Sequence, residues 1–258
     1  MNDILIKVKN LVKTFGGLVA LNDCSLEIKD KAITGIIGPN GSGKTTLFNV
    51  ITGNLKPDTG KVFYNGVEIT NEESHDLFHL GVLRTFQIAH EFSNMTVIEN
   101  LMVVPGNQKG ERLLYSLMNS QKIKKEDELI KDKAMEVLKF LKIEHLKNER
   151  AGNLSGGQKK LLELARTMMV DAKIVFLDEV GAGVNKTLLR DISDSILKLN
   201  QDKGYTFCMI EHDFNFISEL CDPVIVLAEG SVLFKGSSEV VKSNEQVIES
   251  YLGKGLKK

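Results

Sequence analysis

The sequence has no long apolar run and almost no net charge, and each absence excludes a class of protein. No uninterrupted apolar stretch approaches the roughly 18 residues that a membrane-spanning helix needs. We therefore expect any membrane association to come through a partner. The formal net charge of -1 gives no indication of nucleic acid as a bulk partner. The N-terminus lacks a basic start followed by an apolar core, which predicts that the chain carries no export signal.

Cysteines are few as well. The three that occur, Cys24, Cys208 and Cys221, lie far apart and show no metal-ligand spacing. This pattern favours reduced, packed thiols in a cytosolic protein. The 258 residues are 42% hydrophobic and 26% charged, which is an ordinary soluble composition with enough apolar material for a core. This length suits one large domain, or one domain with a substantial insertion.

Short β-like runs alternate with helical segments, and this alternation predicts an α/β fold with a mainly parallel sheet. Strand character is expected at residues 4–8, 25–28, 33–37, 61–64, 174–177, 206–210, 224–227 and 232–234. The stretch from about Glu72 to Arg166 is mostly helical in pattern. Its apolar residues Ile130, Ala134 and Val137 recur at helical spacing beneath a charged surface. A helical insertion is therefore predicted to interrupt the α/β core.

One glycine-rich run lies between a predicted buried strand and a predicted helix, which is the context that a phosphate-binding loop requires. Its glycines let the loop wrap with backbone amides pointing inward at the positive end of the helix. Lys44 is expected to reach the terminal phosphates, and the Thr45 hydroxyl to bind magnesium. We assign nucleotide contact to the run and the residue after it: Gly38, Pro39, Asn40, Gly41, Ser42, Gly43, Lys44, Thr45 and Thr46.

A second run, Leu154 followed by Ser155, Gly156, Gly157 and Gln158, has the S-x-x-Q form of a capping box and predicts a helix start. The two glycines would leave the helix start bare, so that phosphate could sit directly on free amides. A capped helix start forms without any ligand, so this run alone does not indicate a phosphate site. Its position in the chain relative to the other candidate site residues decides between the two interpretations.

Acidic residues follow the next buried strand. Asp178 at the strand end suits indirect coordination of the magnesium held by Thr45, and Glu179 is placed to polarise an attacking water as a general base. His212 again follows an apolar strand, where it could contact a γ-phosphate, because ligands gather at the carboxyl ends of parallel strands.

The order of these features resembles that of ATP-binding cassette (ABC) ATPases. The phosphate-binding loop, Gln87, the run from Leu154 to Gln158, the acidic pair and His212 match over nearly the whole chain. The resemblance implies a P-loop NTPase core with a mainly parallel sheet, an N-terminal antiparallel β region and a helical subdomain. It implies one ABC domain over residues 1–258, with the core at about 1–87 and 166–240, the helical subdomain at about 88–165 and a C-terminal tail at 241–258.

The resemblance also implies roles that the residues alone do not give. Such domains form head-to-tail dimers that sandwich two ATP molecules with Mg²⁺, so Ser155, Gly156 and Gly157 are expected to face the γ-phosphate bound by the other copy. Phe15 matches the aromatic residue that stacks on adenine, where the alternative is a core residue at a strand end. Gln87 matches the residue that senses magnesium and links to the transmembrane partner, with the permease contact expected near residues 87–94.

Three further runs of residues resemble one subgroup of this family. The runs at residues 13–21, 81–87 and 95–101 look like those of branched-chain amino acid importer ATPases. The implied partners are integral-membrane permease subunits, a second ATPase subunit (identical or paralogous) and, indirectly, a periplasmic binding protein, with the chain peripheral on the cytoplasmic face of the inner membrane. A urea or short-amide importer shares these features. An export ATPase of the lipopolysaccharide type and a soluble non-transport ABC ATPase are two further candidate functions.

The chain departs from the family pattern directly after Glu179. The family usually has proline there, whereas this chain has Val180 followed by Gly181. Losing proline frees the backbone, and the added glycine frees it further. Because Lys44, Asp178 and Glu179 all remain, we expect hydrolysis to persist.

Overall fold

A computed structural model describes residues 3–85, 91–106, 108 and 120–252. The described strands are β1 (Ile4–Phe15), β2 (Leu18–Lys29), β3 (Ile33–Ile37), β4 (Thr59–Tyr64), β5 (Val67–Glu68), β6 (Val82–Arg84), β7 (Ile174–Asp178), β8 (Thr206–Ile210), β9 (Val224–Ala228) and β10 (Ser231–Gly236). The described helices are α1 (Lys44–Ile51), α2 (Ser74–His79), α3 (Val97–Met102), α4 (Ser120–Phe140), α5 (Gly156–Met168), α6 (Lys186–Lys203), α7 (Phe214–Leu220), α8 (Ser238–Ser243) and α9 (Glu245–Leu252). Across these described ranges, no helix is both long enough and apolar enough to cross a membrane.

Within the described residues, a six-stranded sheet has the order β10-β9-β3-β8-β7-β6. Strands β6, β7, β8, β3 and β9 pair in parallel, and β10 pairs antiparallel to β9 at the edge. Strands β3, β7 and β8 are buried along their whole length, as their continuous apolar runs predict. The mainly parallel sheet expected from the alternating pattern is confirmed.

The N-terminal strands form a separate antiparallel sheet with the order β2-β1-β4-β5. Strands β1 and β2 make a long hairpin that is interrupted by register shifts, with Asn10 and Asp23 at positive φ. The Asn10 amide donates a hydrogen bond to the Asp23 carboxylate at 2.7 Å across these irregularities. Both strands are longer than the sequence predicts, because polar residues at the irregular positions break the apolar alternation although pairing continues.

The described residues divide into two compact units. One comprises residues 3–85, 173–181 and 197–252 and contains both sheets with α1 and α2. The other comprises residues 91–106, 108, 120–172 and 182–196 and contains α3, α4 and α5. The long helix α6 passes from the second unit into the first, so the second unit also includes a segment that follows β7 in the chain.

The predicted helical stretch from Glu72 to Arg166 contains one strand that the sequence analysis missed. Residues Val82–Arg84 form β6, which pairs in parallel with β7 at the edge of the sheet. Three residues are too few to show a β period, and only the pairing with β7 makes them a strand. The apolar stripe predicted for the insertion is confirmed on α4, where Ala134 and Leu138 are fully buried.

Candidate functional site

The carboxyl ends of four neighbouring strands carry the chemically active residues of the sheet-containing unit. The glycine-rich loop follows β3, Arg84 ends β6, Asp178 ends β7, and the segment that contains His212 follows β8. Because these strands are parallel and adjacent, their carboxyl ends meet at one edge of the sheet. This is the edge at which open α/β sheets bind ligands.

Glycine is required by close packing in the loop between β3 and α1. A Cβ atom added to Gly38 would lie 2.1 Å from the carbonyl oxygen of Leu227, and one added to Gly43 would lie 2.4 Å from that of Ala20. Gly43 also has a φ of 98°, in the left-handed region that favours glycine. These backbone approaches fix the loop against β9 and β2 and hold its shape.

The start of α1 has the properties of an anion site. Gly43 precedes the helix without a side-chain cap, and no acidic residue occupies the first turn. The first amides of a helix have no intrahelical partner, and the helix dipole adds positive potential there. A Cβ atom added to Gly41 would meet nothing within 4 Å, so the loop is open at this position.

Lys44 places a cation on this loop. Its Nζ donates hydrogen bonds to the carbonyl oxygens of Gly38 at 2.8 Å and Pro39 at 3.0 Å. Burial lowers the pKa of the Lys44 ammonium below its usual range, while the carboxylates of Glu179 and Asp178 act in the opposite direction. An anionic ligand bound in the loop would replace these carbonyl oxygens as the hydrogen-bond acceptor of the ammonium.

Asp178 is buried at the end of β7 and paired with a residue that the sequence analysis did not assign to the site. Its Oδ2 accepts a hydrogen bond from Nη2 of Arg84 at 2.7 Å, and the side chains are 2% and 9% exposed. Nη1 of Arg84 donates to Oδ1 of Asn49 on α1. The guanidinium therefore joins α1, the helix after the glycine-rich loop, to the carboxylate at the strand end.

Glu179 and His212 form the exposed part of this edge. Nε2 of His212 lies 2.9 Å from Oε1 of Glu179, and the side chains are 50% and 20% exposed respectively. Glu179 has a φ of 51°, which is unusual for a residue other than glycine, and strained backbone of this kind clusters at functional sites. The structure brings the predicted base and the predicted γ-phosphate contact together.

The other predicted ligands of this unit differ in their exposure to solvent, and one of them lies outside the described residues. Thr45 is exposed on the first turn of α1, while Ser42 is buried. Phe15 is 49% exposed at the end of β1, with Nζ of Lys13 at 5.8 Å from its ring centroid. That exposure excludes the alternative of a core phenylalanine. Gln87 lies outside the described residues, as does the first part of the expected permease contact.

The second unit contains the predicted capping box at the start of α5. The Ser155 side chain accepts a hydrogen bond from the amide of Gln158 at 3.4 Å, and Oε1 of Gln158 accepts one from the amide of Ser155 at 2.9 Å. The predicted helix start is confirmed. Gly156 is exposed, but Gly157 is buried, and a Cβ atom there would lie 2.2 Å from Cδ2 of Leu188. The second glycine therefore also serves packing within this unit.

Among the described residues at this edge, sequence reasoning missed Arg84 and Glu211. Arg84 stands at the end of a short apolar run, where a charged side chain needs a buried partner, and Asp178 ends another such run. This signal was available in the sequence, but the pairing of β6 with β7 was not. Glu211 was overlooked because the adjacent His212 was taken as the candidate functional residue of this segment. Its carboxylate accepts a hydrogen bond from the Gly181 amide at 2.8 Å.

The groups at this edge of the sheet fit a nucleotide bound together with a divalent cation. The uncapped helix start, the open loop and the Lys44 ammonium suit phosphate oxygens. The exposed Thr45 hydroxyl is an oxygen ligand of the type that Mg²⁺ prefers. Asp178 already has a cationic partner in Arg84, so it suits coordination through water better than direct coordination.

Comparison with known proteins gives one family. The ABC transporter family profile matches residues 21–182. The chain is 43% identical to an Archaeoglobus fulgidus protein named "Probable branched-chain amino acid transport ATP-binding protein LivG", over 96% of this chain and 95% of that protein.

Solved structures agree with this comparison. The chain is similar to the ADP conformation of MJ1267, an ATP-binding cassette of an ABC transporter, with a TM-score of 0.83 and 41% identity over 97% of this chain and 99% of the other. It also resembles the dimeric post-hydrolysis state of the cassette MJ0796 bound to ADP and Pi, with a TM-score of 0.74 and 25% identity over 91% of this chain and 99% of that one.

Proposed function

The chain belongs to the ABC transporter family of ATP-binding proteins, and from this premise we propose that it is the ATPase subunit of an importer for branched-chain amino acids. Family membership makes it a nucleotide-binding ATPase of the transport type. The observation that carries the choice of cargo is the 43% identity to a relative with this transport assignment in its name, over nearly the full length of both chains. A urea or short-amide importer is the alternative that the experiment below distinguishes.

Nucleotide binding is assigned to the loop after β3. The amides from Gly41 to Thr46 and the Lys44 ammonium bind the phosphates, and the exposed ring of Phe15 stacks on the adenine. Thr45, Gln87 and, through water, Asp178 would hold magnesium, which would supply positive charge to neutralise the phosphates. The contact between Arg84 and Asp178 fixes the position of the carboxylate before any ligand arrives.

Lys44→Met is expected to weaken ATP binding by about 10- to 100-fold, because it removes charge-assisted hydrogen bonds to the phosphates. The methionine keeps the apolar stem, so the loop should retain its packing. Equilibrium dialysis with radiolabelled ATP and Mg²⁺ measures the change in Kd. Lys56→Met, at an exposed lysine of the same unit, serves as the control and should leave Kd unchanged. An unchanged Kd for the Lys44 variant would contradict the assignment.

Hydrolysis is assigned to Glu179 with His212. The Glu179 carboxylate accepts a proton from the attacking water, and its contact with Nε2 of His212 orients the carboxylate. Because the pair is partly exposed, a substrate can reach it from solvent. Lys44 stabilises the negative charge that develops on the transferred phosphoryl group.

A complete site is proposed to need two ATPase subunits. Ser155, Gly156, Gly157 and Gln158 of one copy would close the nucleotide site of the other, with the second subunit either identical or a paralogue. The exposed start of α5 supports this role, and the dimeric cassette described above gives a precedent. Nucleotide binding then favours the closed dimer to the extent that the closed form binds ATP more tightly.

The proposed location is the cytoplasmic face of the inner membrane, where integral-membrane permease subunits hold the chain peripherally. A periplasmic binding protein would act indirectly through those permeases. Phe92 and Met95, which are 50% and 37% exposed in the second unit, offer apolar surface near the expected permease contact. No part of this assignment involves nucleic acid.

Reconstitution tests the proposed cargo. The chain would be purified with the permeases that it binds and reconstituted into proteoliposomes with their binding protein. We expect leucine, isoleucine or valine to stimulate ATP hydrolysis, and urea or acetamide to have no effect. Stimulation by urea alone would overturn the proposed cargo. Failure to retain any integral-membrane protein would favour the soluble class of ABC ATPase instead.

A further inference from the structure

The segment after β7 lacks the proline that would stiffen it, yet it contains the proposed base. Glu179 is followed by Val180 and Gly181, so neither residue restricts the backbone as a proline ring does. A general base must be held within hydrogen-bond reach of the water that it deprotonates. Something other than the local sequence must therefore fix this segment.

Contacts with the last residue of β8 and with the segment after it supply that restraint. The amide of Glu179 donates a hydrogen bond to the carbonyl oxygen of Ile210 at 3.0 Å. The Glu179 carboxylate meets Nε2 of His212 at 2.9 Å. Two residues further along, the Gly181 amide donates to Oε1 of Glu211 at 2.8 Å. The last of these contacts fixes the chain on the far side of Glu179.

Glu211 is an unusual residue to find in this place. Its side chain is buried, at 5% exposure, and burial together with the nearby Glu179 carboxylate raises its pKa. Removing a carboxylate from water is unfavourable unless hydrogen bonds compensate it. An apolar side chain would fill the same space without that penalty. The compensation visible here includes the hydrogen bond from Gly181, which is the bond that restrains the segment.

We propose that Glu211 is a positioning residue for hydrolysis: it binds the Gly181 amide and so holds Glu179 in its productive place. This proposal rests on the proposed function, in which Glu179 is the base. Glu211 does not touch the substrate in this assignment. It acts through the backbone of residues 179–181, in a chain that lacks proline at position 180.

Three substitutions at Glu211 test the proposal. Glu211→Met matches the length of the side chain but replaces the carboxylate with a thioether, which is only a weak hydrogen-bond acceptor. Glu211→Asp keeps the charge but is one methylene too short to reach Gly181. Glu211→Gln keeps both the length and an acceptor oxygen. We expect kcat for ATP hydrolysis to fall about 10- to 100-fold in the Met and Asp variants and to stay within about threefold in the Gln variant. KM for ATP should change less than about twofold throughout.

Separate controls test for a loss of stability and for effects of changing other residues in the same segment. Asp213→Ala removes the N-cap of α7 in the same segment without touching Gly181, and we expect it to leave kcat within about threefold. The thermal midpoint of each Glu211 variant should stay within about 4 °C of wild type. Equal losses of kcat in the Gln and Met variants would overturn the proposal. So would wild-type kcat in the Met variant or, if that variant does not fold, in the Asp variant.

The failure of this proposal and that of the proposed function are distinguishable. Glu179→Gln, assayed beside the Glu211 variants, reports on the base itself. If Glu179→Gln abolishes turnover while Glu211→Met and Glu211→Asp retain it, only the positioning role fails. If Glu179→Gln retains turnover, the assignment of the base fails, and the positioning role that rests on it fails as well.

Discussion

Glu179→Gln is expected to lower the rate of ATP hydrolysis by about 10²- to 10⁴-fold, the contribution typical of a general base. Glutamine has the same shape and can still contact His212, but it cannot take a proton from water. ATP binding should persist, because Lys44 and the glycine-rich loop are unchanged. A phosphate-release assay for turnover and equilibrium dialysis for binding separate the two effects.

The matched control is Glu219→Gln, which makes the same chemical change at an exposed position on α7. This variant should hydrolyse ATP at the wild-type rate. If the Glu179 variant also turned over at the wild-type rate, the assignment of the base would be wrong. A loss of ATP binding in that variant would instead indicate that Glu179 contributes to the nucleotide site before hydrolysis.

Arg84→Met is expected to reduce the free energy of unfolding by about 3–5 kcal/mol, the typical effect of breaking a buried ion pair from one side. The substitution leaves the Asp178 carboxylate, whose side chain is 2% exposed, without the guanidinium that neutralises it. It also removes the contact with Asn49 on α1. Urea denaturation followed by circular dichroism measures the change.

An exposed ion pair provides the control for Arg84. Lys142 contacts Asp191 at 3.3 Å, and the side chains are 67% and 36% exposed, so Lys142→Met should cost less than about 1 kcal/mol. A double variant with Asp178→Asn and Arg84→Met removes both charges and should recover part of the lost stability. Equal destabilisation by the Arg84 and Lys142 substitutions would show that the buried pair has no special role.

The elements of the fold that the sequence predicted are those with a strong local pattern. The buried strands β3 and β8 were predicted with their observed bounds, because continuous apolar runs flanked by turns need no distant partner to be recognised. The capping box at Ser155 and Gln158 was predicted for the same reason, since its two partners lie within one helical turn. Strand β6 was missed, because only its pairing with β7 defines it.

The candidate site likewise contains some residues that a local sequence pattern identifies and others that only the structure identifies. The glycine-rich loop with Lys44 and Thr45 could be identified from a contiguous run of residues. The pairing of Arg84 with Asp178 could not, because this contact spans 94 positions of the chain. The contact between Glu211 and Gly181 spans 30 positions and joins a buried carboxylate to a backbone amide, so no local pattern of residues predicts it.

The sequence by itself therefore determined the family resemblance, the candidate phosphate-binding loop, the acidic strand end and the mainly parallel sheet. Each depends on residue types at fixed short spacings. Only the tertiary structure decided how the candidate catalytic edge is held together. Parallel pairing brought the ends of β6, β7 and β8 side by side, so that Arg84 could neutralise Asp178 and Glu211 could hold the segment after Glu179. These contacts matter for stability because the groups are buried. A charge removed from water needs a partner, and only the tertiary structure brings that partner close.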